Sequence, residues 1–142
     1  RLVAKSRRPE AERASEHALS HLYGCTHTRR ALRTKFAKVD FFGCDTIGVR
    51  SNGTRVWVQV TAGQTAAVLS RRKKLDAYPW HETDEVYVWQ LVDRASIEHP
   101  NRKEWYFRVW QRLGDGSWTN GSDSFRVDKA WFKAMKKEGA NE

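Results

Sequence analysis

Apolar positions along the chain change period, and the changes divide it into helices and strands. From about 9 to 23, Ala11, Ala14, Ala18, Leu19 and Leu22 recur three and four residues apart, the spacing of one helix face. Pro9 suits the first turn of this helix, Ser6 is a candidate cap upstream and Gly24 stops it. Glu12 and Glu16 lie four apart and so share a face. Residues 25–40 fit more than one state: CTHTRRAL reads as a strand, RTKFAKVD as a loop or a short helix. The period then falls to two. CDTIGVRS and TRVWVQVT read as strands that meet at Ser51-Asn52-Gly53, where Asn-Gly is a strong hairpin signal. In the second, Val56, Val58 and Val60 alternate with Trp57, Gln59 and Thr61, giving one aliphatic face and one that can carry polar groups.

A second helix is predicted through AAVLSRRKKLDAY, stopped before Pro79. EVYVWQLVD and EWYFRVWQRL follow as strands, separated by a polar link through His99-Pro100-Asn101. Gly114-Asp115-Gly116 turns the chain into a short strand at Trp118, and SDSFRV continues it. Asp128 caps a last helix, DKAWFKAMKK, whose buried side holds Trp131, Met135 and Phe132. The order α, β, β, β, α, β, β, β, α predicts an α/β sandwich around a mixed sheet. A chain of 142 residues supports one core, so residues 1–142 are expected to form a single domain. Within it, residues 9–92 make the core and 103–138 add C-terminal strands and a helix.

Charge narrows the partner. Lys and Arg number 26 against 17 Asp and Glu, a net charge of +9 and a pI near 9.9, which favours polyanions. Seven Trp, six Phe and four Tyr exclude a disordered basic tail, because so much aromatic area must be buried or stacked. No apolar run is long enough to span a bilayer, and no helix pairs a basic face with a long apolar stripe, so a membrane partner is not expected. No signal-like segment opens the chain, and a start at Arg1 implies that a native beginning precedes it. Cys25 and Cys44 form no CxxC pair and have no His at ligand spacing; they read as reduced, buried thiols of a cytoplasmic protein. The five His residues show no ligand spacing either.

Two basic clusters are candidate phosphate contacts: Arg29, Arg30, Arg33 and Lys35, and Arg71, Arg72, Lys73 and Lys74. Four consecutive charges cannot share one helix face, so part of the second run must face solvent. Trp105, Phe107 and Val109 alternate with Tyr106, Arg108 and Trp110. An aromatic face interleaved with Arg is suited to stacking bases, but both faces are expected instead to be covered, by the core and by a helix or a partner chain, which would suit a homodimer.

The most specific signal lies between Val39 and Thr61. Asp45 opens one hairpin strand, Gln59-Val60-Thr61 closes the next, and antiparallel pairing brings the two points together. This arrangement resembles PD-(D/E)xK nucleases, where an Asp at the head of one strand meets an acidic-x-Lys tripeptide on its neighbour. Glu16, followed by HALSHLYG, is similar to the first-helix Glu of the archaeal Holliday-junction resolvases in that superfamily. Asp40-Phe41-Phe42-Gly43 ahead of Asp45 resembles a phrase in related phage and bacterial chains; Asp40 itself reads as structural.

The resemblance covers about residues 9–92 and implies a restriction-endonuclease-like mixed sheet flanked by helices. It further implies a metal-dependent endonuclease on structured or branched DNA, dimeric, in the cytoplasm, or in the host cytoplasm for a phage protein. Asp45, Gln59 and the Val60 carbonyl would hold Mg²⁺ or Mn²⁺, with Glu16 assisting through water. The family's acidic ligand is Gln59 here and its Lys is Thr61. The amide brings no charge, and losing a cation from the developing phosphorane charge is worth about 3 kcal/mol. Lys73 or Lys74 on the following helix would replace it, and Lys38 is a further candidate. The alternative is a catalytically silent relative that only binds nucleic acid or a protein partner.

Overall fold

The computed structural model describes residues 8–33, 38, 39, 41–96, 98, 101 and 103–140. The chain runs α1 (Arg8–His21), β1 (Cys25–Arg30), β2 (Leu32–Arg33), β3 (Lys38–Val39), β4 (Thr46–Arg50), β5 (Arg55–Thr61), α2 (Thr65–Leu75), β6 (Glu85–Ala95), β7 (Lys103–Arg112), β8 (Asp123–Val127) and α3 (Lys129–Ala140). Six strands form one mixed sheet in the order β1-β4-β5-β6-β7-β8. Only β5 and β6 run parallel, as their connection through α2 requires. The result is a single-domain α/β fold. The ambiguous stretch after β1 forms a second, two-stranded ladder pairing Leu32 with Val39 and Arg33 with Lys38.

Strand alternation assigns the core to two sides. Val56, Val58 and Val60 of β5, Tyr87, Trp89 and Leu91 of β6, and Phe107 of β7 pack under α1 through Ala11, Ala14, Ala18 and Leu19, with Trp131 and Phe132 of α3 against the same cluster. Small residues on α1 let it approach closely. A Cβ on Gly48 of β4 would stand 2.5 Å from Cys25 Sγ and 3.3 Å from Leu19 Cδ1. On the other side, Trp57, Val86, Val88 and Trp110 pack against Val68 and Leu75 of α2, joined by Cys44.

Several local readings are sharpened. The β4–β5 hairpin closes as expected, with Gly53 at φ 86° and Asn52 Oδ1 accepting from the Thr54 N–H at 2.9 Å. Asp128 accepts from the Trp131 N–H at 3.1 Å and caps α3; the Met135 side chain lies outside the described residues. Helix α2 ends at Leu75 rather than Tyr78, because Asp76 turns outward to accept from Arg112 Nε and Trp118 Nε1, both at 3.0 Å. Trp118 makes an isolated bridge to Arg112 instead of a strand.

Tyr106 of β7 stays half-buried beside Arg94, but its other aromatics are absorbed within the chain: Phe107 is 0% and Trp110 4% exposed, and Trp105 meets Phe132 edge-on. Their burial removes the aromatic argument for a two-fold interface. No helix among the described residues is long and apolar enough to cross a membrane.

Candidate active site

Eight polar or charged residues are buried among those described: Glu12, Ser15, Asp45, Thr46, Gln59, Thr61, Gln90 and Ser96. Glu12, Ser15 and Thr46 lie on the α1 side of the sheet, whereas Asp45, Gln59, Thr61 and Gln90 lie on the α2 side, at the head of β4 and the ends of β5 and β6. Burying so many polar groups together is costly unless each is bonded or used.

The hairpin register sets the centre. Thr46 pairs with Val58, so Asp45, one step earlier, falls opposite Gln59. The Asp45 N–H donates to the Val58 carbonyl at 2.9 Å. Its side chain reaches across, and Oδ2 accepts from the Val60 N–H at 3.0 Å. Asp45 is 0% exposed and Gln59 4%. Gln59 turns its Nε2 toward the Val60 carbonyl at 3.2 Å.

Thr46, pointing to the opposite face, is joined to α1. Ser15 gives its hydroxyl proton to the Glu12 carbonyl at 2.6 Å, so the Thr46 hydroxyl must donate to Ser15 Oγ, 2.7 Å away. That bond fixes α1 on the face opposite the Asp45 side chain and leaves Glu12, 6% exposed, on its sheet-facing stripe. On the α2 side, Gly63 is held from both directions: its N–H donates to Thr61 Oγ1 at 3.1 Å and its carbonyl accepts from Gln90 Nε2 at 2.9 Å. Thr61 therefore serves the β5–α2 link, in the position where a nuclease would carry Lys. Gln90 Oε1 is buried and has no hydrogen-bond partner.

A second polar group, at the far end of the sheet, behaves differently. Arg50 donates to the Tyr23 carbonyl at 2.7 Å and forks onto Glu85, which also accepts from Tyr87 at 2.7 Å. The hydrogen bond from Arg50 holds the Glu85 carboxyl below the ordinary glutamate range, although burial opposes it. Burial, with Glu85 and Asp123 nearby, pushes the Tyr23 phenol up to about 12. This clamp ties the α1–β1 corner to β4 and β6. Beside it, Tyr23, Tyr87 and Phe125 border an open groove of about 410 Å³, remote from Asp45.

The residues singled out from sequence are divided by this geometry. Asp45, Gln59 and Val60 come together. Glu16 does not join them: its carboxylate accepts from Arg30 Nε at 2.9 Å and Thr28 Oγ1 at 3.1 Å and so holds β1. Strand alternation also splits the first basic cluster. Arg30 turns to the α1 side with Glu16, whereas exposed Arg29, paired with Ile47, shares the face of Asp45. The Arg33 side chain, Lys35 and Asp40 lie outside the described residues. On α2, Arg71 and Arg72 are half-buried and Lys73 and Lys74 exposed; the Arg72 guanidinium stands 5.5 Å from the Trp118 ring. Lys74 belongs to the last turn of α2, nine residues past its first, about 13 Å along the axis. Among the described residues, no three His, Cys, Asp or Glu side chains group as a metal site.

Glu12, Ser15, Thr46 and Gln90 escaped the sequence reading. The signal was present in α1: positions 12 and 15 fall in phase with the apolar stripe of Ala11, Ala14, Ala18 and Leu19, and polar residues in that phase are buried for a reason. No family model, curated protein or solved structure matches this chain.

Proposed function

We propose that the chain is a metal-dependent endonuclease of the PD-(D/E)xK kind, with a restriction-endonuclease-like core, acting on structured or branched DNA. The observation that carries this reading is the buried polar seam. Asp45 at the head of β4 lies against the Gln59-Val60-Thr61 end of β5, with α2 on the same face of the sheet and α1 on the other. Apart from the β2–β3 ladder between them, the order helix, basic strand, Asp strand, tripeptide strand, helix is also the one expected of that group.

Donor chemistry bears on the metal. The Asp45 carboxylate, the Gln59 amide oxygen and the Val60 carbonyl are hard oxygens converging at one strand end, which suits Mg²⁺ or Mn²⁺ in kind. They bring one negative charge, so the site is weak and needs millimolar metal. Gln59 must also turn its amide over, because its nitrogen faces the Val60 carbonyl. A bound ion would supply stabilisation of phosphate charge and a more acidic water. The protein's own part is positional. Val60 N–H fixes the Asp45 carboxylate, and the Ser15–Thr46 bond holds α1 so that Glu12 replaces Glu16 as the helix-borne acid. Arg71, on the half-buried side of α2, is better placed than Lys73 or Lys74 to face the seam. Two symmetric cuts in a four-way junction would call for a second copy of the chain.

The burial of Asp45, 0% exposed, favours a second reading in which the seam is silent and the chain only binds nucleic acid. Incubation with a four-way junction in Mn²⁺ separates the two. Cleavage is expected, equal or stronger in Gln59→Glu, which restores the ligand charge. If wild type cuts no junction, flap, duplex or single strand, and Gln59→Glu with Thr61→Lys does not rescue it, the endonuclease reading is wrong.

A further inference from the structure

Two anomalies coincide at Phe42. At 61% it is the most exposed of the large hydrophobic residues described, and at φ 51° it is the one non-glycine residue among them with a positive φ. Phe41 and Cys44 exchange both backbone hydrogen bonds at 2.9 Å, so Phe42-Gly43 forms a two-residue turn with positive φ at both positions. Such turns favour Asn-Gly; a bulky residue there is strained. The strain is not offset by burial of the ring. Trp57 and Tyr78 meet it only edge to face, with centroids 5.8 and 6.0 Å away and planes inclined at 67° and 70°. No described ring stacks parallel on it.

Location gives the anomaly a meaning. Phe42 precedes Asp45 by three residues, and its neighbour Trp57 lies two residues before Gln59 on the same face of β5, about 7 Å along the strand. Arg29 shares that face, and the chain carries a net +9. An exposed, strained aromatic beside a seam proposed to meet phosphodiesters is suited to stacking on a base that has left its pair. We propose that Phe42 is a stacking site for an unpaired nucleobase and directs the seam to branch points, bulges and nicks rather than to continuous duplex. This inference rests on the nucleic-acid reading above and adds what is recognised.

The test compares binding, in EDTA, to a duplex carrying one bulged 2-aminopurine and to a fully paired duplex of equal length. Wild type is expected to prefer the bulged duplex by about tenfold, the effect of one base stack, with 2-aminopurine emission quenched on binding. Phe42→Asn accepts the turn geometry and removes the ring. It should lose the preference and the quenching, keep its affinity for paired duplex, and melt at the same or a higher temperature. Phe42→Trp should retain the preference. Equal binding of the two duplexes by wild type overturns the inference while leaving the endonuclease reading intact. So does a Phe42→Asn variant that keeps the preference; if it also melts lower, Phe42 is a cover for Trp57. Failure to bind either duplex overturns both the inference and the nucleic-acid reading beneath it.

Discussion

Asp45 can be replaced in two ways that separate its charge from its hydrogen bond. Its Oδ2 accepts from the Val60 N–H at 3.0 Å, and both residues are 0% exposed. Asp45→Ala leaves that N–H buried without an acceptor, a loss of about 1–3 kcal/mol. For a domain of this size one kcal/mol moves the melting temperature by about 4 °C, so the Ala variant should melt about 4–12 °C below wild type. Asp45→Asn retains an oxygen at the same reach and gives up only the difference between a charged and a neutral acceptor, about 1 kcal/mol. Its melting temperature should stay within about 4 °C of wild type. Function should divide the other way: both variants lose Mn²⁺-dependent junction cleavage, and Asn binds DNA in EDTA as well as wild type, because a basic surface has lost a negative charge. Circular-dichroism melts and a radiolabelled junction assay read the two effects separately. If Asn melts as low as Ala, the fold itself needs the charge and a metal-ligand role is unnecessary. If Asn cleaves like wild type, Asp45 is not a ligand.

Glu12→Gln should abolish cleavage, whereas Glu16→Gln, which breaks only a half-exposed pair with Arg30, should cost about 0.5 kcal/mol in melting and leave cleavage intact; the reverse pattern would return the role to Glu16. Binding to junction DNA should weaken steeply with salt, and Lys73→Ala with Lys74→Ala should flatten the log–log slope by about two units without lowering the melting temperature; an unchanged slope removes the end of α2 from the interface. Arg50 depresses the Glu85 pKa, so this clamp stabilises the fold above the unfolded value and is lost as pH falls below about 4. Stability should decline over that range in wild type and less so in Glu85→Gln, and parallel pH curves for the two would refute it. Gly48→Ala forces a Cβ to within 2.5 Å of Cys25 Sγ and should cost about 1–3 kcal/mol, with part restored in a Cys25→Ala background; a neutral Gly48→Ala would show that the Cys25 side chain on β1 does not stand so close to β4.

Local chemistry determined most of the elements, though not the β2–β3 ladder or the bridge at Trp118. Period three-to-four in α1, period two in β5, the Asn52-Gly53 turn and the Asp128 cap are properties of neighbouring residues, and each was legible without coordinates. So was the meeting of Asp45 with Gln59, because a central tight turn fixes antiparallel register over a few residues. Tertiary structure decided which side each element faces and what stands beside it across the sheet. Glu12 and Glu16 share a helix face in sequence, yet a small rotation of α1, set by the Ala11–Ala14–Ala18 stripe and the Ser15–Thr46 bond, buries one and hands the other to Arg30 on β1. Arg29 and Arg30 are neighbours in the chain and lie on opposite faces of a strand. Gln90 joins the seam through parallel pairing with Thr61, 29 positions away, which no local pattern encodes. Phe107 and Trp105 of β7 are covered by α3 and β8 and Trp110 by the α2 side, a consequence of chain reversal rather than composition.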